Sequence, residues 1–248
     1  GRTSMFNLIA SAAAADSHGG GLSLMPAALC VKEEGANPYG MVPALCDGGI
    51  VGQITFLVLM IMFIGTLYIL FTKLMEQSKV MKQGKEVDEK FWRAATLAEG
   101  AAKLEKNSAY RQVVEDGLLA NEQHTKLTDP VEAHDWMHGT LERSQSHINS
   151  KLNGGLAFLA TVGSTAPFVG LFGTVIGILR ALVKIGASGQ ASIDTVAGPV
   201  GEALIMTAVG LIVAVPAVLA FNWLQGRNKA ISRNLSTFAN DVLGHIMS

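Results

Sequence analysis

The chain has 248 residues, of which 49% are hydrophobic and only 16% charged, with a formal net charge of −1. Soluble domains carry about a quarter charged residues, so this deficit, with a mean hydropathy of +0.34, points to a membrane. No basic stripe appears, which argues against a nucleic acid partner. The glycines cluster inside apolar runs, a pattern suited to close helix packing in lipid.

Residues 1–4 precede a Met and read as an expression remnant. Segment 5–49 follows and is expected outside the cytoplasm. Its first part, 5–15, is apolar and Ala-rich without a basic leader, compatible with a signal remnant or with a short retained helix. The two cysteines, Cys30 and Cys46, both fall in this segment. In an oxidising compartment they are expected to join and close a loop around Pro38, Tyr39 and Pro43, within one chain or between two. Their spacing suits neither a metal site nor a redox pair.

Three stretches exceed the roughly 20 residues needed to cross a bilayer. The first, 50–72, has no charge; the second, 152–183, has Arg180 alone; the third, 196–224, has Glu202 alone. The last two are joined by the short segment 184–195, with Gly186, Ser188 and Gly189, and should form an antiparallel hairpin. The expected fold is an all-α membrane protein with three transmembrane helices, two of them long and extending into the cytoplasm. Basic residues set the orientation. Lys73, Lys79, Lys82, Lys85 and Lys90 follow the first span, Arg143 and Lys151 precede the second, and Arg227, Lys229 and Arg233 follow the third. Block 73–151 and tail 225–248 are therefore expected in the cytoplasm, and the hairpin loop 184–195 outside.

Within the block, Asp129-Pro130 is a helix start, since Asp caps and Pro fits a first turn. No further Pro precedes Pro167, so one unbroken helix of about 80 Å is expected from there through the second span. In the tail, Ile231, Leu235, Phe238, Val242 and Ile246 recur at three- and four-residue steps, a stripe that packs on other helices.

Chemistry has few candidates. A carboxylate inside a span normally faces a protein interior or a water path, so Glu202 is either a proton-path residue or the counter-ion of Arg180 or Lys184. Thr165 and Thr207, placed by counting at a common depth, bond their own helix backbone or line a polar path; Thr161 lies one turn from Thr165. The facing stripe of the third span is small: Ala203, Thr207, Gly210, Ala214 and Ala217. The same count sets Glu202 opposite Gly170. Glu202 and Thr207 stand about 140° apart around a regular helix, so a narrow pore takes only one of them squarely. Ala166, Gly170, Gly173 and Gly177 form a second small face for helix contact. The run from Gly170 to Gly177 follows no strand and lacks the Walker lysine, which rejects a nucleotide loop. His134 and His138, one turn apart, have no third ligand and read as a solvated face. No cofactor, metal or enzymatic constellation is expected.

The segments 158–178, FLATVGSTAPFVGLFGTVIGI, and 196–217, VAGPVGEALIMTAVGLIVAVPA, resemble the second and third spans of the ExbB/TolQ/MotA proton-channel family. The likeness is closest to the ExbB branch, through Gly163-Ser-Thr-Ala-Pro-Phe168; MotA proteins normally have four spans. It covers roughly 60 residues closely and the rest by layout, and the cysteine-bearing N-terminal segment departs from the short N-termini of that branch. The resemblance implies a multi-pass protein of the bacterial inner membrane. It also implies a homopentameric ring, in contact with membrane lipids, that surrounds two ExbD-like single-span helices and energises a TonB-like protein. It maps pore-lining roles onto Thr165, Thr207 and Glu202. A TolQ-like role and a structural scaffold without ion flux are the alternatives.

Overall fold

The computed structural model describes residues 49–126, 132–189 and 193–248. The expectations for 5–48, Cys30 and Cys46 included, and for Asp129-Pro130 lie outside the described residues. Among those described there are helices and no strands. In chain order they are α1 (Gly49–Glu86), a π-helical turn (Val87–Phe91), α2 (Leu97–Lys103), α3 (Ala109–His124), α4 (Ala133–Asn153), α5 (Leu156–Ser188) and α6 (Ile193–Met247). Three stretches, Gly49–Phe91, Ala133–Ala187 and Val196–Met247, are long and apolar enough to cross a membrane.

The chain divides into two compact units: one from residues up to Thr66 with Leu159–Leu219, the other from Leu67–Phe158 with Ala220–Ser248. In the first unit the interior is small and aliphatic. Leu59 of α1 packs with Val162 and Ala166 of α5 and with Val209, Val213, Ala214 and Ala217 of α6. Large side chains such as Ile61, Phe168, Phe172, Leu211 and Ile212 lie exposed, the inverse of a water-facing surface and the arrangement hydrocarbon favours.

The second unit has the core of a soluble protein. The α6 stripe Ile231, Leu235, Phe238 and Val242 is buried, with Ile246 packed at its edge. Phe238 meets the rings of Phe91, Trp92 and Tyr110 at centroid distances of 5.2, 5.9 and 5.2 Å, all edge-on, the geometry aromatic quadrupoles prefer. Thr96 caps α2 by accepting from the Glu99 N–H at 3.2 Å, as an N-cap hydroxyl should. The first N–H of α3, at Ala109, donates to Gln83 Oε1 of α1 at 3.4 Å. Burial, with the Asp88 charge second, holds the Tyr110 phenol above its usual range.

The expected unbroken helix through the second span is instead two helices. α4 stops at Asn153, Gly154 takes an extended conformation and Gly155 has φ +83°, a region open to glycine at little cost. The carbonyls exposed by the break find partners. Lys151 O accepts from Gly154 N at 3.2 Å and from Lys73 Nζ at 2.9 Å. Leu152 O accepts from Asn228 Nδ2 at 3.0 Å, and Asn228 Oδ1 in turn accepts from Gln77 Nε2 at 2.6 Å. Two consecutive glycines with side-chain partners for the helix end make the stop cheaper than continuation.

One packing constraint is directly testable. A Cβ at Gly84 would lie 2.7 Å from Tyr110 Oη and 3.2 Å from Cζ of that buried ring. Gly84→Ala should therefore lower stability by about 1–3 kcal/mol, as overpacking does. Adding Tyr110→Phe, which removes the nearer atom, should recover part of the loss in thermal melts of the detergent-solubilised protein.

Candidate functional site

The site lies in the first unit, where α1, α5 and α6 meet. A Cβ on Gly170 would stand 2.7 Å from Met206 O and 3.0 Å from Gly210 Cα. The converse Cβ on Gly210 would meet Ala166 O at 2.8 Å. The two backbones thus touch, as small-residue interfaces in membranes allow. The same face continues to Gly177, opposite Ala203 at 3.0 Å, while Gly173 faces both Met206 of α6 and Thr55 of α1. Gly170, Gly173, Gly177 and Gly210 thus stand against neighbouring helices of this chain with no room for a Cβ, and Ala214 is buried in the same interior.

This contact fixes the register, and the register differs from that counted from the span ends. Thr207 meets Thr174, not Thr165: their hydroxyls hydrogen-bond to each other. Thr174 Oγ1 also lies 2.9 Å from Ala203 O and 3.2 Å from its own Gly170 O. Thr165 stands nine residues, roughly 13.5 Å of helix, away from Thr174, the residue that faces Thr207. It is exposed and returns its hydroxyl to Thr161 O at 2.7 Å, while Ser164 reaches the same carbonyl at 3.0 Å. Thr161, Ser164 and Thr165 form a separate exposed hydroxyl patch on α5. The two span ends are not level: the Gly170–Gly210 contact sets the relative depth of the helices.

Glu202 likewise has neighbours other than Gly170. It is 6% exposed, with Oε1 3.9 Å from Arg180 Nη1. A Cβ on Gly52 of α1 would come within 3.1 Å of the same oxygen, and the adjacent Gln53 is buried. All three helices thus enclose the carboxylate, and its cation is one of the two anticipated. Lys184, the other, is absent from the described ion pairs with Glu202. His134 and His138 sit in the second unit as exposed, stacked rings with centroids 6.0 Å apart. Among the described residues no group of His, Cys, Asp and Glu is arranged for a metal.

Thr174 is the residue the sequence reading missed. It sits inside Gly170-Leu-Phe-Gly-Thr-Val-Ile-Gly177, which drew notice for its glycines. Those glycines were the available clue, because a hydroxyl flanked by Gly173 and Gly177 is held against the neighbouring helix.

Comparison with known proteins follows the same elements. The sequence description of the MotA/TolQ/ExbB proton channel family matches residues 105–237. The biopolymer transport protein ExbB of Xanthomonas campestris pv. campestris is 42% identical over 162 residues, covering 61% of this chain and 64% of that protein. The ExbB of Neisseria gonorrhoeae is 45% identical over 118 residues, covering 48% and 54%. The Tol-Pal system protein TolQ of Pseudomonas aeruginosa is 34% identical over 160 residues, covering 62% and 69%. The chain thus spans less than two thirds of the length of these ExbB relatives.

The glycine contact predicts a sharp contrast between positions. Gly170→Ala drives a Cβ into backbone, which cannot turn aside, and should cost about 1–3 kcal/mol. Gly226→Ala, inside α6 and with nothing within 4 Å of the added Cβ, should instead stabilise by roughly 0.5–1 kcal/mol. Denaturation midpoints of the two variants in one detergent check the ordering.

Proposed function

The chain belongs to the MotA/TolQ/ExbB proton channel family, and from that membership we propose that it is the ring-forming subunit of an ExbB-like, proton-driven motor. It sits in the bacterial inner membrane with its second unit and C-terminus in the cytoplasm. Five copies surround two single-span ExbD-like helices, and the assembly energises a TonB-like protein. The basic residues that flank the spans support the orientation. The exposed apolar faces of the first unit offer surface for lipid and for neighbouring copies.

The observation that carries the reading is the Thr174–Thr207 hydroxyl pair, set between glycine-packed helices with a backbone carbonyl beside it. Hydroxyls donate and accept but do not hold a proton at neutral pH, so they serve a carboxylate that does. Among the described span residues the one acid is Glu202, and it faces Arg180 inside the chain. The mobile proton therefore needs a carboxylate from a partner helix. The hydroxyls then stabilise that carboxylate as it charges and neutralises, while Glu202 serves the path toward the hairpin side. The exposed patch of Thr161 and Thr165 extends the polar wall that a turning partner passes. The TolQ relative supports a second reading, in which the same ring drives the Tol-Pal envelope system; the identity of the co-purifying single-span protein separates the two.

Co-expression with that partner, followed by native mass spectrometry and by proton flux in proteoliposomes, tests the proposal. Five copies with two partner helices are expected, and only monomers would sink the ring. Thr174→Val and Thr207→Val keep shape and lose the hydroxyl. Each should assemble yet slow flux about 10–100-fold, the worth of a hydrogen bond to a charged group at roughly 1.5–3 kcal/mol, while Thr174→Ser stays near the parent. Glu202→Gln strands a buried cation, which is itself destabilising, so it is paired with Arg180→Gln. The double variant should assemble and remain inactive; full activity would reduce Glu202 to a counter-ion.

A further inference from the structure

We propose that a polar groove of the second unit, between α4 and α6, binds an extended acidic segment of a partner chain. That the segment belongs to the single-span subunit rests on the motor reading above; the chemistry of the groove does not.

The groove encloses about 540 Å³ and has Asn149 and Asn153 of α4 on one wall. On the other, α6 presents Gln225, Lys229, Ser232, Arg233, Ser236 and Asn240 at three- and four-residue steps. Every described residue lining it is polar, two are cations and none is a carboxylate. Lys229 and Arg233 stand one turn apart on the same face, where like charges repel. Both are exposed, and neither forms an ion pair among the described residues. A row of negative charges would offset that repulsion.

The floor is already fixed. Asn149 Nδ2 donates to Ser232 Oγ at 3.0 Å. Buried Asn228 commits its amide to Leu152 O and Asn153 Oδ1, and its carbonyl to Gln77. Gln225, Ser236 and Asn240 make no side-chain hydrogen bond among the described residues, and they are left to pair with an occupant.

Length decides what that occupant is. From Gln225 to Asn240 the wall runs about 22 Å, which matches six or seven extended residues at 3.3–3.6 Å each. The two cations and the free amides are spread along this line instead of converging on one point, which disfavours a single phosphate. The headgroup band of a bilayer adds only about 6 Å beyond each side of the hydrocarbon. The groove reaches Asn240, sixteen residues past Leu224, so most of it lies beyond lipid reach. A peptide carrying spaced carboxylates fits the whole length.

The test uses the full chain purified in detergent and a fluorescently labelled seven-residue peptide of alternating Glu and Ser, followed by anisotropy. The Glu peptide should bind and a Gln counterpart should not. Lys229→Gln with Arg233→Gln should weaken binding at least tenfold, and raising salt from about 50 to 500 mM should do the same, since screening acts on exposed charges. Lys229→Glu with Arg233→Glu should switch preference to a Lys peptide, a gain that no misfolded protein would show. Binding indifferent to these substitutions would overturn the proposal. So would displacement of the peptide by equimolar inorganic phosphate, or by nanodiscs of anionic lipid. Because the assay measures no proton flux, a groove that binds in a ring that fails to conduct separates this inference from the motor reading.

Discussion

Hydrocarbon offers helices no hydrophobic reason to associate, so what holds α5 against α6 is the close approach their glycines permit. Gly170 and Gly210 bring backbone to backbone, and several other features follow from that distance. It fixes which residues share a depth, and so brings Thr174 to Thr207. It lets α1 enter the same contact, with Thr55 against Gly173 and Gly52 against the Glu202 carboxylate. The second unit is held differently, by a cluster of aromatic rings and aliphatic side chains typical of aqueous cores. One chain thus uses two packing regimes, small-residue contact and large-residue burial.

Much of this was legible in the sequence because the membrane writes a coarse code. Twenty uncharged apolar residues are hard to place elsewhere, so the three apolar stretches could be read, as could the α6 stripe from Ile231 to Val242. The small faces were equally plain from their four-residue steps. The register between them was not, because periodicity gives the face a residue occupies and leaves its height open. That gap moved Thr165 away from Thr207 and hid Thr174. The break at Gly154–Gly155 was visible as two glycines, but its stop depends on donors from Lys73 and Asn228, far away in sequence. The π-helical turn at Val87–Phe91 left no pattern that a helix period would reveal.

Glu202 shows why a residue type in a membrane narrows roles without choosing one. A buried ion pair is poor evidence of stabilisation, because desolvating both charges offsets much of their attraction. Such a pair is costly to break from one side, and this makes it a rigid reference point among α1, α5 and α6.

The end of α4 has a consequence for biogenesis. Its last carbonyls are satisfied by Lys73, made before it, and by Asn228, made some 75 residues after it. While the chain is being synthesised, Leu152 O waits without its protein donor until α6 has emerged past its middle. The same asparagine then closes the buried amide link to Gln77 of α1. Among the described helices the last in chain order is thus the one that seals α1 and α4, and a chain cut short of residue 228 leaves these buried polar groups without that partner.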